Sequence, residues 1–221
     1  MIITIDGPAG TGKSSVARTV AQRLGYDFLD TGAMYRAVGF EAIRRNADLD
    51  DARELAYIAR LCRIEFDWTR QPPEVILNGA PVGHVLRSAD VTRAASYVAV
   101  VPAIRQKLVE EQQRIGRERA DLVTEGRDQG TVVFPDARCK FYLDATPEER
   151  ARRRVAQLRA RGEVVDYREI LEQIISRDHR DSTRPVGPLS IPPDAQVIDT
   201  TKMTEDEVVR EILRRVQAGR P

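Results

Sequence analysis

The chain has 221 residues, 42% apolar and 31% charged, with 35 basic against 34 acidic side chains and a formal net charge of +1. A chain this long hides roughly 70% of its unfolded surface when it folds, and it is too apolar and too evenly charged to stay disordered. The charge balance argues against a protein that grips nucleic acid over its whole surface, while leaving room for a local basic cleft.

Met1 to Asp6 is a β-branched run ending in an acid, which predicts a buried strand. Gly7 to Gly12 is a glycine-rich loop, and Lys13 to Leu24 reads as a helix closed by Gly25. A second strand is expected at Tyr26–Asp30, with helices at Gly32–Arg45 and Asp50–Leu61. The texture changes after Arg63. Ile64 to Trp68 alternates, Gln71-Pro72-Pro73 turns, Val75-Ile76-Leu77 is apolar, and Asn78-Gly79 is a hairpin signal, so residues 63–85 read as a small antiparallel insertion. Helices follow at Ala89–Val98 and Pro102–Arg119, the latter with proline at its first position. Leu122 to Thr124 reads as a strand leading into the polar turn Glu125-Gly126-Arg127-Asp128. Lys140–Leu143 is another strand, Pro147–Arg161 a very basic helix stopped by Gly162, and Tyr167–Asp181 a helix before the Pro185–Pro193 loop. Gln196–Asp199 and Glu205–Val216 complete the pattern as strand and helix.

Strands alternating with helices imply a parallel sheet with helices on both faces, with ligands beyond the carboxyl ends of the strands. Asp6, Asp30, Glu125 and Asp128 all fall at such ends. Cys62 and Cys139 form no CxxC pair, and His84 and His179 form no ligand pair, so neither a disulfide scaffold nor a zinc site is legible. No run of 18 apolar residues exists, and Ile2-Ile3-Thr4-Ile5 directly after Met1 does not read as a secretory leader. The cytoplasm is the default compartment. Four lysines leave 31 of the 35 basic side chains as arginine, a bias that either a GC-rich genome or sites wanting forked donors for phosphate produces, and composition alone does not separate the two.

Gly7-Pro8-Ala9-Gly10-Thr11-Gly12-Lys13-Ser14 fits G-x-x-x-x-G-K-[ST], between a strand and a helix. In such a loop backbone N–H groups cradle phosphate oxygens, helped by the positive end of the helix. Lys13 would reach the β- and γ-phosphates, and the Ser14 hydroxyl would ligate Mg²⁺. This predicts a P-loop nucleotide binder without naming the reaction. Candidates for an acceptor site are Asp30 to Arg36, Arg105 after a proline, Arg127-Asp128, and Arg177 to Arg184. Arg177, Asp181 and Arg184 are spaced to share one face of a continuing helix, a spacing that solvated ion pairs also produce. Most of Arg150, Arg152, Arg153 and Arg154 are expected to form exposed pairs, Glu148 with Arg152 and Glu149 with Arg153. One or two could close over the transferring phosphate.

Four strings carry a family resemblance: Asp6 to Ser15, Leu29 to Arg36, Glu125 to Ala137, and Arg177 to Arg184. With them the chain resembles bacterial cytidylate kinase, a nucleoside monophosphate kinase, over nearly its whole length. Gln129 departs from the apolar residue expected there, and Gly83-His84-Val85-Leu86 departs from the usual acidic wording before Arg87. The resemblance implies a three-layer P-loop fold with a mostly parallel five-stranded sheet. It implies one kinase domain, with core 1–62 and 105–221, a small α/β nucleoside-monophosphate-binding insertion at about 63–104, and a short lid at about 148–165.

It further implies ATP on Gly7 to Ser15, with Lys13, Arg127 and a lid arginine, first Arg154, in the chemistry. Arg36, Arg105 and Arg127 would hold the CMP phosphate. Thr31, Arg105 and Asp128 would meet the cytosine, and Arg177 and Asp181 the ribose hydroxyls, with Tyr35 and Arg184 completing the substrate set. ATP and CMP or dCMP are the implied partners, Mg²⁺ the cofactor, and a monomer the implied state, with no nucleic acid or membrane. Two other readings stand beside it: another P-loop kinase, acting on a different nucleotide or a hydroxylated metabolite, and a nucleotide sensor without turnover. A GTP switch is disfavoured, because the only asparagines, Asn46 and Asn78, form no Asn-Lys-Xaa-Asp loop.

Overall fold

A computed structural model describes residues 1–218, so the last three residues of the expected domain lie outside the described part. The chain divides into two compact units, one built from residues 1–26 and from 123 onward, the other from 27–122. In chain order the elements are β1 (Ile2–Asp6), α1 (Lys13–Leu24), β2 (Asp27–Asp30), α2 (Thr31–Arg44), α3 (Ala52–Leu61), β3 (Ile64–Asp67), β4 (Glu74–Leu77) and β5 (Ala80–Pro81). They continue with α4 (Ala89–Val98), α5 (Pro102–Glu118), β6 (Leu122–Glu125), a π-helical turn (Gln129–Val133), β7 (Cys139–Asp144), α6 (Pro147–Arg159), α7 (Tyr167–Thr183), β8 (Gln196–Asp199) and α8 (Glu205–Ala218). The larger sheet has the order β2–β6–β1–β7–β8, the α/β arrangement expected of a P-loop protein.

β1 pairs in parallel with β7, Ile3 opposite Cys139 and Ile5 opposite Phe141, and β7 pairs in parallel with β8. Ile3, Thr4, Ile5 and Asp6 are all completely buried, as a central parallel strand covered on both faces requires. α1 packs against α8, and α6 against α7 through Ala151, Val155, Leu158, Ile170 and Ile174. Of these helices α6, α7 and α8 each start at a local capping signal in the sequence. The side chains of Thr146 and Asp166 accept first-turn amides of α6 and α7, and Thr204 with Glu207 forms a capping box on α8.

In the second unit β3, β4 and β5 form an antiparallel sheet. Its hairpin turns at Asn78-Gly79, both at positive φ, as the sequence predicts. Asp51 and Ser88 cap α3 and α4. α2 crosses α4 at Gly39, where a Cβ would come within 2.9 Å of the Ala95 backbone nitrogen.

Several details differ from expectation, among them the end of α6 at Arg159 and not Arg161. The turn after Asp128 winds as a π-turn, because the Asp128 carbonyl accepts both Val132 N–H and Val133 N–H, at 2.9 and 3.1 Å. α7 runs on to Thr183, two residues past the expected end, with the Ser182 and Thr183 hydroxyls bonding back to the His179 carbonyl. Glu149, not Glu148, receives Arg152 as well as Arg153, both at 3.0 Å, since it lies within one helical turn of both.

At the end of β1 the chain passes so close to β7 that a Cβ on Gly7 would lie 2.1 Å from the Leu143 carbonyl oxygen. Backbone cannot swing aside as a flexible side chain can. Gly7→Ala is expected to cost at least ~3 kcal/mol, the upper end of overpacking, and to lower Tm by more than about 6 °C. Thermal unfolding followed by circular dichroism measures this.

Candidate active site

The phosphate loop joins β1 to α1. Gly12 stands at the N-cap of α1 with φ 89°, a left-handed conformation that a side chain would resist. It offers no side-chain cap, and the first turn of α1 carries no acid, so the positive end of the helix opens into the loop. Lys13 is buried, and its ammonium donates to the Pro8 carbonyl at 2.6 Å and to Thr11 Oγ1 at 3.4 Å. Thr11 Oγ1 donates to the same Pro8 carbonyl, and Ser15 Oγ to the Gly12 carbonyl. Burial, followed by the Arg127 charge, pushes the Lys13 ammonium down to about 7, with Glu125 and Asp6 opposing.

Ser14 Oγ donates to Glu125 Oε1 at 2.7 Å. A hydroxyl and a carboxylate joined at the mouth of a phosphate loop are the hard oxygen donors that suit Mg²⁺, which takes few protein ligands and completes its shell with phosphate oxygens and water. Among the described residues no cluster of three His, Cys, Asp or Glu forms a closed cage. Asp6, completely buried, accepts Gln129 N–H at 2.9 Å and Gly130 N–H at 2.7 Å. Burial pushes its carboxyl up to about 7 against the pull of those two amides.

Arg127 follows β6. Its Nε donates to Asp181 Oδ2 at 2.9 Å and its Nη1 to the Gly126 carbonyl at 3.1 Å. Burial disfavours the Arg127 charge, but Asp181 and Glu125 outweigh it and hold the pKa above the ordinary arginine value. Asp181 in turn stays below the usual carboxylate range: burial would raise it, and Arg127, Arg177 and Arg184 pull it down. Arg184 Nε donates to the Gly187 carbonyl at 2.6 Å, while its guanidinium lies 3.8 Å from Asp128 Oδ1 and 3.8 Å from Asp181 Oδ1. α7 ends at Thr183 and Arg184 follows in extended backbone, so the expected helical face does not run on to Arg184. Arg127, Asp128, Asp181 and Arg184 nonetheless form one ionic cluster in the first unit.

The second unit carries its own cluster. Asp30, at the end of β2, caps α2 through Ala33 N–H at 2.9 Å and holds Arg36 at 2.8 Å. Arg87 lies 3.7 Å from the same carboxylate. Thr31 is buried at the first position of α2. Arg105 is buried on α5, donates to the Ala99 carbonyl at 3.3 Å, and lies with its guanidinium 5.5 Å from the Tyr35 ring centre.

The family model for cytidylate kinase matches residues 3–218. This chain belongs to the cytidylate kinase family. It is 47% identical to the cytidylate kinase of Pelotomaculum thermopropionicum over 99% of this chain and 96% of that one. It is 48% identical to the cytidylate kinase of Rhodopirellula baltica over 98% of this chain and 93% of that one. An uncharacterized protein from Eubacterium ventriosum superposes with a TM-score of 0.53 at 14% identity, over 99% of this chain and 98% of the other, a likeness of fold alone.

For a cytidylate kinase reading, the structure adds residues that the sequence did not single out. Arg150 is buried and reaches the phosphate loop: Nη1 donates to the Ala9 carbonyl at 3.0 Å, Nε to the Ala145 carbonyl at 2.9 Å, and Asp178 pairs with it at 2.7 Å. Arg154, the lid arginine favoured by the resemblance, donates to Gln157 on its own helix at 2.7 Å. Glu125 was visible as a strand-end acid, but its bond to Ser14 spans 111 positions and has no local signal. Arg150 resembled its basic neighbours in the sequence, and only its register on α6 singles it out.

Lys13 titrates near neutrality when buried among cations, and a polyphosphate beside it favours the charged form. Nucleotide binding at pH 8 is therefore expected to take up on the order of one proton, and at pH 6 almost none. Calorimetry in buffers of different ionisation enthalpy measures this, and Lys13→Arg, whose side chain stays charged, abolishes the uptake in whatever binding remains.

Proposed function

We propose that the chain transfers the γ-phosphoryl group of ATP to CMP or dCMP, giving CDP or dCDP and ADP. The observation that carries this is the cytidylate kinase match over residues 3–218. Gly7 to Ser15 are assigned to ATP. Arg36, Arg105 and Arg127 are assigned to the acceptor phosphate, Thr31, Arg105 and Asp128 to cytosine, and Arg177 and Asp181 to the ribose, with Tyr35 and Arg184 supporting them. The insertion at about 63–104 is assigned to the nucleoside monophosphate and the lid at about 148–165 to closure, with Arg154 as its first candidate. The reading includes a cytoplasmic monomer, with nucleotides as its partners and no nucleic acid. No helix among the described residues is long and apolar enough to cross a membrane.

The acceptor oxygen is already anionic, so the transfer needs no general base. In-line attack requires two phosphates to approach. Two unit charges about 4 Å apart repel by roughly 4 kcal/mol at an effective dielectric of about 20. Lys13 and the arginines offset that repulsion, and their value grows because they are oriented before the reaction starts. Ser14 and Glu125 are the residues that would hold Mg²⁺, which would supply further charge neutralisation at the nucleotide phosphates when bound. Arg150 touches backbone at Ala9 and acts on the loop's shape.

Base selection follows from polarity. Cytosine offers a hydrogen at N4, which a carboxylate such as Asp128 accepts, while uracil presents an oxygen there. Adenine also carries an exocyclic amine, so its exclusion falls to the size of the site.

Two outcomes test the reading. With ATP and Mg²⁺, a panel of CMP, dCMP, UMP, AMP and shikimate, followed by coupled ADP release, is expected to show strong preference for CMP and dCMP, and chelation of Mg²⁺ to abolish turnover. Brisk consumption of another acceptor without CDP formation refutes it. Lys13→Ala and Arg127→Ala are each expected to lower kcat at least ~100-fold, the scale of losing one preorganised donor. Near-normal steady-state turnover in either variant removes that residue from the mechanism.

A further inference from the structure

Asp6 sits directly before the phosphate loop, yet its carboxylate bonds nothing in that loop's hydrogen-bond network. Oδ1 takes Gln129 N–H at 2.9 Å and Oδ2 takes Gly130 N–H at 2.7 Å, the two residues that follow Asp128. Those amides open the π-turn. The Asp128 carbonyl receives Val132 N–H and Val133 N–H, and Phe134 N–H closes onto the Gln129 carbonyl at 2.7 Å. A second strut holds the same turn, Thr124 Oγ1 donating to Gln129 Oε1 at 2.8 Å. Gly130 is closely packed, since a Cβ there would meet Pro192, Thr4 and Lys140 at 2.9 to 3.2 Å. Asp6 itself is buried to completion. A buried carboxylate is costly to keep, and here both of its oxygens serve one purpose.

From this geometry we infer that Asp6 is a positioning residue for base selection: it fixes the backbone after Asp128, so that the Asp128 carboxylate holds its place against the N4 amine of cytosine. Asp6 touches no substrate in this role. It locks the donor loop's leading strand and the base-reading turn into one rigid piece, as preorganised polar recognition demands. The inference rests on the proposed reading of cytosine by Asp128.

Asp6→Asn keeps the side-chain shape but turns one acceptor into a donor facing a backbone N–H. The ratio of kcat/KM for CMP to that for UMP is expected to fall at least ~10-fold, the scale of one buried donor left unsatisfied. KM for ATP should stay within about threefold of the parent, because the phosphate loop's own bonds are intact. A purely structural residue would lower activity on both acceptors alike, so an unchanged ratio, or a loss confined to KM for ATP, overturns the role. Asp128→Asn is measured beside it. An unchanged ratio in Asp128→Asn sinks the base-reading assignment, whereas a relaxed ratio there with an unchanged one in Asp6→Asn sinks the positioning role alone. Should Asp6→Asn fail to fold, hydrogen exchange of the parent protein decides. The Gln129 and Gly130 amides are expected to exchange at least ~100-fold more slowly than unstructured amides, and free exchange at either overturns the inference.

Discussion

Cations taken out of water need partners, and that constraint shapes the whole of this protein's polar interior. Arg127, Arg150, Arg105 and Lys13 are all buried or nearly so, where an unpaired charge costs several kcal/mol. The chain meets the cost with carboxylates and carbonyls chosen one by one: Asp181 for Arg127, Asp178 for Arg150, the Ala99 carbonyl for Arg105, and the Pro8 carbonyl for Lys13. Each partner also fixes a direction. A guanidinium bonded in this way keeps a fixed orientation.

The two kinds of cation respond differently to this environment. Arginines stay charged when buried, and Asp181 is held below the usual carboxylate range because Arg127, Arg177 and Arg184 outweigh the burial that would raise it. Burial, and after it the Arg127 charge, pushes the Lys13 ammonium down to about 7, and its hydrogen bonds go to a carbonyl and a hydroxyl. The charge of Lys13 in the phosphate loop thus depends on what binds beside it. The arginine cluster around Asp181 is charged from the outset.

Legibility in the sequence followed the range of the interaction. The loop Gly7 to Ser14 was readable because its chemistry is local: glycine for the turn, lysine and serine at the helix start, all within one short segment. The hairpin at Asn78-Gly79 and the start of α5 at Pro102 were readable for the same reason. The π-turn at Gln129 was not, since it depends on a carboxylate more than 120 positions away. Nor was Arg150 distinguishable from Arg152, Arg153 and Arg154 in a run of like residues.

By itself, the sequence determined the alternation of strands and helices, the phosphate loop, the strand-end acids and the family to which they belong. The elements and the loop depend on periodicity and on bonds between near neighbours, and the family on the resemblance of whole motif strings, all of which a linear string records. Tertiary structure alone decided which arginine supports the loop, which acid pairs with Ser14, and what holds the turn after Asp128. Those outcomes come from strand order in the sheet and helix register, which bring β1, β6 and β7 side by side, and no local preference encodes them.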